Sequence, residues 1–232
     1  MTFMARPAKP LIRYEAAIET SLEIIDTEGL DAFSLPRLAR ELNVRAPSLY
    51  HHFHDKAEIL RGVARRIVLE TRMPDERAAP NWLEWFVVLS LNFREAVLRH
   101  RNAAPVLLQF MPRDVLIRTY EASARFLAEL GVPADQHVLI LDGLDKLTLG
   151  AAISEAAKPP EEGGRVFTKV DAATEPTLAK AVEVNTRSAE ELFAESIRGF
   201  LRGAAPYIAA DAPPPSGTHG RTVRDLEPEA AS

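Results

Sequence analysis

Ser34 to Lys56 reads SLPRLARELNVRAPSLYHHFHDK, and the fold turns on this stretch. Ser34 is an N-cap residue, and Pro36 is tolerated in the first helical turn after it. Leu35, Leu38, Ala39 and Leu42 recur on one face of that helix. Asn43 then stands where a left-handed residue is needed, a conformation that asparagine accepts better than most residues. Pro47 opens a very short second helix that runs to about Phe53. Asp55 begins a third, with Glu58 placed to complete a capping box. Helix, tight turn of about four residues, short helix is the pattern of a helix-turn-helix. Its second helix enters the DNA major groove with its first turns against base edges.

The residue types suit that task. Arg45 reaches a phosphate or a guanine, Ser48 donates to a phosphate or a base, and Pro47 offers an apolar edge to a thymine methyl. Tyr50 and His51 carry polar tips. Lys56 sits in the first turn of the next helix, whose exposed backbone N–H groups favour a phosphate. Leu38, Ala39, Val44, Leu49 and Phe53 read as the core of a three-helix unit. Tyr50 fits either a phosphate contact or the edge of that core.

Outward from this stretch the pattern is helical throughout, with no alternating β-branched runs. Met1 to Pro10 mixes basic residues and prolines and reads as a flexible arm. Ile18, Leu22 and Ile25 mark a helix from Leu11 to Glu28, stopped by Gly29. The helix opened by Asp55 continues to about Arg72. Met73 to Pro80 is a linker rich in Pro, Ala and charge. Asn81 with Glu84 opens a long helix ending near His100. Further helices are predicted over Ala103–Phe110, Arg113–Leu130, Ala134–Ala157, Glu175–Thr186 and Ser188–Gly203, with an irregular stretch over 159–174. Beyond Ala209 the tail is rich in Pro, Ala and Gly and reads as disordered. The organisation is thus an all-α chain in two units. The first is an N-terminal three-helix, helix-turn-helix domain over 11–72. The second is a larger helical ligand-binding and dimerisation domain over 81–205.

Composition limits the alternatives. The chain has 232 residues, 47 % of them apolar, enough for two packed units. There is no cysteine, which removes disulfides and thiolate metal sites and points to a reducing compartment. No apolar stretch approaches the roughly 18 residues of a membrane span, and Met1 to Arg13 lacks a signal core. A cytoplasmic protein is expected. The net charge of −5 does not exclude nucleic acid, because the stretch quoted above carries four Lys or Arg, two Asp or Glu and three histidines. No HExxH, Gly-rich phosphate loop or GxSxG is present. His51, His52 and His54 with Asp55 fall on different faces and do not make a metal site. Asp142 and Asp145 have no nucleophile beside them. Neither enzyme activity nor a cofactor or metal is expected.

The N-terminal pattern resembles the TetR family of one-component regulators. Gly29, Phe33, Leu38-Ala39, Val44, Leu49, Tyr50, Phe53 and Lys56 carry the resemblance. It implies that Tyr50 and Lys56 bind backbone phosphates and that Arg45, Ala46, Pro47, Ser48 and His51 face the bases. Ser34 and His52 are further candidates. Pro36 and Ala46 stand where the tetracycline repressor has a base-contacting arginine and a glutamine, so the operator should differ. Trp82, Phe93-Arg94, Val97-Leu98, His100-Arg101 and Leu147-Thr148-Leu149-Gly150 resemble the C-terminal domain of that repressor.

The likeness implies a homodimer through a four-helix bundle, built from the helices around Val138–Glu155 and Ala189–Gly203 of each chain. It also implies an effector pocket between Trp82 and Asp145. Leu89, Leu107, Phe110 and Met111 stand where that repressor grips a magnesium-bound drug, and they are poor ligands for a hard cation. The pocket should therefore take a largely apolar or aromatic molecule. Arg72, Ser123 and Asp145 are its candidate polar groups. Trp85, Phe93, Phe110, Tyr120, Val138 and Leu141 are candidate lining, and the aromatics among them serve equally as core. Asp145 suits either a cationic ligand or a partner Lys or Arg.

The function implied is a repressor of a double-stranded DNA operator, released by a small-molecule effector. An activator or effector-free regulator, and an all-helical enzyme or carrier with a vestigial helix-turn-helix, are the competing readings.

Overall fold

The structure is a computed structural model that describes residues 13–74, 79–159, 166–215 and 222–226. The expected arm over 1–10 lies outside the described residues, as do parts of the linker and tail. Among the described residues there are ten α-helices and no strand.

The first unit is built from α1 (Tyr14–Glu28), α2 (Leu35–Glu41), α3 (Ala46–Leu49) and α4 (Lys56–Val68). α1 buries Ala17, Ile18, Leu22, Ile24 and Ile25. It ends at Gly29 with φ 88°, a conformation that side chains with a Cβ rarely adopt. α1 and α4 pack closely: a Cβ on Gly62 would stand 2.4 Å from Ile18 Cδ1. Ser34 caps α2 by accepting from the Arg37 N–H at 3.3 Å. Asn43 takes φ 52° in the turn, and the Val44 N–H closes it on the Ala39 carbonyl at 2.9 Å. α3 is shorter than expected and passes into a turn over Tyr50–His52. Asp55 accepts from the Glu58 N–H at 2.7 Å, but the Glu58 carboxylate reaches back to the His54 N–H at 2.8 Å, not to that of Asp55. α4 also stops earlier than the expected Arg72.

The second unit holds α5 (Trp82–Arg99), α6 (Ala104–Phe110), α7 (Arg113–Glu129), α8 (Ala134–Ala156), α9 (Pro176–Val184) and α10 (Ala189–Ala204). α5 is the central helix and packs against α8 and α10. Asn81 caps it by accepting from the Glu84 N–H at 2.9 Å. The Glu84 carboxylate does not close a capping box. It makes two bonds of 2.7 Å to the Arg198 guanidinium of α10, which holds it below the usual carboxylate range. Ser188 and Glu191 do form the reciprocal box at the start of α10. Arg94 is 7 % exposed and bonds Glu155 of α8 at 2.6 and 2.8 Å and Glu190 at 3.1 Å. A guanidinium so buried needs its charge matched, and the match ties α5, α8 and α10 together.

Two described parts of the tail, 209–215 and 222–226, lie against the rest of the protein. Ala209 and Ala212 accept from the Trp82 indole and backbone N–H groups at 3.0 and 2.9 Å. Thr222 forms an antiparallel bridge with Arg72. The Val223 N–H donates to the Thr71 carbonyl at 2.9 Å, and Val223 itself is 2 % exposed. Burying Val223 and satisfying Trp82 compensate for ordering a Pro-rich chain. Described parts of the tail thus bond residues on both sides of the linker between the two units. Among the described residues no helix is long and apolar enough to cross a membrane.

Candidate functional site

The surface around α3 is the candidate nucleic-acid interface. Leu49 and Phe53 are buried and hold α3 against the three-helix core. That anchoring leaves Arg45, Pro47, Tyr50, His51 and His52 exposed, while Ser34, Ala46 and Ser48 are half-buried. Tyr50 is 58 % exposed, an uncommon position for a large ring with nothing to cover it. The Arg45 side chain makes no cap bond at the start of α3.

Arg37, by contrast, is held by Glu28 and Glu41 with contacts of 2.6 Å each. Lys56 also has a partner inside the protein. Its ammonium donates to the Phe33 carbonyl at 2.7 Å and lies 5.2 Å above the Phe33 ring. That contact fixes the start of α4 to the chain entering α2. The residue is exposed, and an ammonium has three donors, so a phosphate remains within its chemistry.

A small cavity, open on one side, lies between α5, α7 and α8. Each helix gives it one stripe at i, i+3, i+4, i+7 spacing, or close to it. These are Phe86, Leu89, Ser90 and Phe93 from α5; Leu116, Thr119, Tyr120 and Ser123 from α7; and Leu141, Leu144, Asp145 and Thr148 from α8. Phe86 joins Trp85 at 5.0 Å and Phe126 at 5.9 Å in an aromatic cluster at one side. The Tyr120 hydroxyl donates to Asp145 at 2.7 Å, and burial, with this bond next, pushes the phenol up. Among the described residues the buried Thr119 hydroxyl has no hydrogen-bond partner, nor does the Trp85 indole N–H.

Six of the twelve candidate ligand residues line this cavity: Leu89, Phe93, Tyr120, Ser123, Leu141 and Asp145. The others lie elsewhere. Leu107 is fully buried and Trp85 is 1 % exposed, so both are spent on the core. Phe110 and Met111 border a different groove, shared with Tyr14, Arg61 and Arg65 of the first unit. Arg72 is exposed at the joint. Val138 is 74 % exposed; it lies one turn before Leu141 on the same face of α8, beyond the end of the lining. The six lining residues missed, Phe86, Ser90, Leu116, Thr119, Leu144 and Thr148, complete the stripes of residues already chosen. Extending Leu89, Phe93, Tyr120, Ser123, Leu141 and Asp145 by three or four positions reaches all of them.

The lining offers one carboxylate, four aliphatic hydroxyls and a phenol, with no imidazole. Among the described residues no group of three His, Cys, Asp or Glu side chains could hold a metal. The donor set does not fit a magnesium-bound effector, since a hard cation requires more oxygen ligands than one carboxylate supplies.

An N-terminal helix-turn-helix joined to a helical body with an apolar cavity is the build of a ligand-responsive transcriptional regulator. Residues 17–63 match the family model described as bacterial regulatory proteins, tetR family. Residues 73–206 match the one described as tetracyclin repressor-like, C-terminal domain. The chain belongs to the tetR family, with a C-terminal domain of the tetracycline-repressor kind. The tetracycline repressor protein class E of Escherichia coli is 28 % identical over 196 residues, covering 82 % of this chain and 90 % of that protein. A possible TetR family transcriptional regulator from Streptomyces coelicolor A3(2) has the same fold. Its TM-score is 0.70 at 24 % identity, covering 84 % of this chain and 99 % of that one. ActR of Streptomyces coelicolor, solved in complex with actinorhodin, gives a TM-score of 0.67 at 22 % identity, covering 84 % and 98 %.

Proposed function

We propose that this chain is a repressor that binds a palindromic operator as a homodimer and is released when a small, largely apolar or aromatic molecule enters the cavity between α5, α7 and α8. The cavity carries the reading: seven of its twelve lining residues are apolar or aromatic, and buried hydroxyls supply orientation. ActR with actinorhodin is a relative of the same fold that holds a small molecule.

Arg45, Ala46, Pro47, Ser48 and His51 read bases, and Tyr50 and Lys56 hold phosphates, with Ser34 and His52 at the margin. The division into a DNA-binding unit over 11–72 and an effector unit over 81–205 follows the joint after α4. Dimerisation uses α8 and α10, which pack on each other. Val138, Leu139 and Leu147 leave apolar surface on α8, as a bundle with a second copy requires. Filling the cavity shifts α7, whose Asp114 pairs with Arg65 of α4, and α4 carries the helix-turn-helix. A dimer reading successive major grooves needs its recognition helices about 34–36 Å apart, so a small pivot ends specific binding. The effector acts by binding the DNA-incompetent arrangement more tightly.

The test is to select bound sequences from a random duplex pool. Affinity is then measured against salt and against a panel of apolar and aromatic compounds. A palindromic site with steep salt dependence, released by one compound, supports the proposal. Weak binding without sequence preference overturns it.

A further inference from the structure

Among the described residues Asp145 is the one charged side chain on the wall of the cavity, and no lysine, arginine or histidine lines it. Among the described residues its partner is the neutral Tyr120 hydroxyl at 2.7 Å, and no ion pair offsets its charge. Lys146, the next residue, is turned to Asp142 at 2.5 Å on the outer side of α8. Arg113, at the exposed start of α7, acts on Tyr120 only through space and weakly. A half-buried carboxylate facing apolar walls with one neutral donor retains unused acceptor capacity. Beside Tyr120 on α7, Thr119 is 6 % exposed, and its buried hydroxyl has no partner among the described residues.

We infer that the effector class is an apolar, ring-containing amine, cationic at neutral pH, whose ammonium pairs with Asp145 while its rings lie against Phe86 and Phe93. Tyr120 keeps the Asp145 carboxylate aimed at the cavity, and the Thr119 hydroxyl accepts a second ammonium N–H. A cation in this position meets the acceptor it needs against apolar walls, where charge-assisted bonds are strengthened. An anion of the same shape meets Asp145 as a like charge. This assignment rests on the reading of the cavity as the effector site.

Three matched probes test it: 1-naphthylmethylamine, 1-naphthylmethanol and 1-naphthoate, titrated calorimetrically into the full chain. The amine is expected to bind at least about tenfold more tightly than the alcohol, and the carboxylate more weakly than both. Asp145→Asn is expected to bring the amine to the level of the alcohol and leave the alcohol within about twofold. Tyr120→Phe removes the donor that aims the Asp145 carboxylate, so the amine is expected to lose part of its advantage while the alcohol stays within about twofold. That variant decides the matter if Asp145→Asn does not fold. Binding of amine and alcohol with equal affinity to the wild type overturns the inference and leaves the apolar-cavity reading standing. Equal weakening of both probes by the two variants overturns it too, since Asp145 would then be a structural partner of Tyr120 only. If none of the three binds, the cavity reading falls and the inference with it.

Discussion

Two arginines in the helix-turn-helix stretch have different tasks, although the sequence presents them alike. Arg45 projects from the start of α3 with no cap bond of its own. Arg37 is clasped by Glu28 and Glu41 on the other side of the turn. On the selected operator, Arg45→Ala should weaken binding by about 10- to 100-fold, the cost of one base or phosphate contact. Arg37→Ala should change affinity by less than about twofold, as expected for a solvated ion pair away from the duplex. Fluorescence anisotropy with a labelled duplex measures both. Equal effects would mean that the recognition surface includes α2 as much as α3. The distinction was not legible in the sequence, where Arg37 and Arg45 are both basic residues beside the turn. Glu28 stands nine residues before Arg37, and only the folded turn brings them together.

Helix stops and caps were the most legible parts of the chain, because Gly29, Ser34, Asn43, Asp55 and Ser188 act on backbone within a few residues of themselves. The bonds between helices were not. His100 ends α5 with Nδ1 2.6 Å from Asp26 of α1 and Nε2 3.2 Å from Glu70 beyond α4. Arg66 and Arg99 also pair with Glu70. Asp26 first, then Glu70, raises the imidazole above its usual value against the cost of burial. A raised folded-state value stabilises the fold fully below the unfolded value of about 6.5 and loses that contribution as pH rises through the folded one. The melting midpoint should therefore fall as pH is raised through this range, and His100→Gln should flatten the dependence. A midpoint that rises over the same interval would exclude His100 as its source. The α8–α10 contact makes a second prediction at this scale. A Cβ on Gly143 would stand 2.2 Å from the Phe200 ring, so Gly143→Ala must displace the ring, at about 1–3 kcal/mol by denaturant unfolding. A change below about 0.3 kcal/mol would show that Phe200 yields freely.

The whole molecule joins a reading head to a sensing body, and the features that cross between them include the α4 joint, the Arg65–Asp114 pair, the His100 cluster and described parts of the tail. The tail was the least legible of all: Pro, Ala and Gly composition argues against a packed core. What composition cannot show is that Trp82 needs two acceptors and that Thr71 leaves a carbonyl open. Ending the chain after Ile208 removes Ala209 and Ala212 as acceptors and exposes the site of Val223. The melting midpoint should drop by several degrees, in line with the loss of one buried aliphatic side chain and three hydrogen bonds. An unchanged midpoint would mean that the tail lies on the surface without holding it.

The seam between Thr222 and Arg72 also offers a vantage point. The chain has no cysteine, so a single thiol introduced at Thr222 would be the only one to take a dye, with no prior substitutions needed. A donor there and an acceptor on one end of a synthetic operator would turn the natural fold into a gauge of its own hinge. The distance between seam and duplex could then be followed as a compound is added, before any release from DNA is scored.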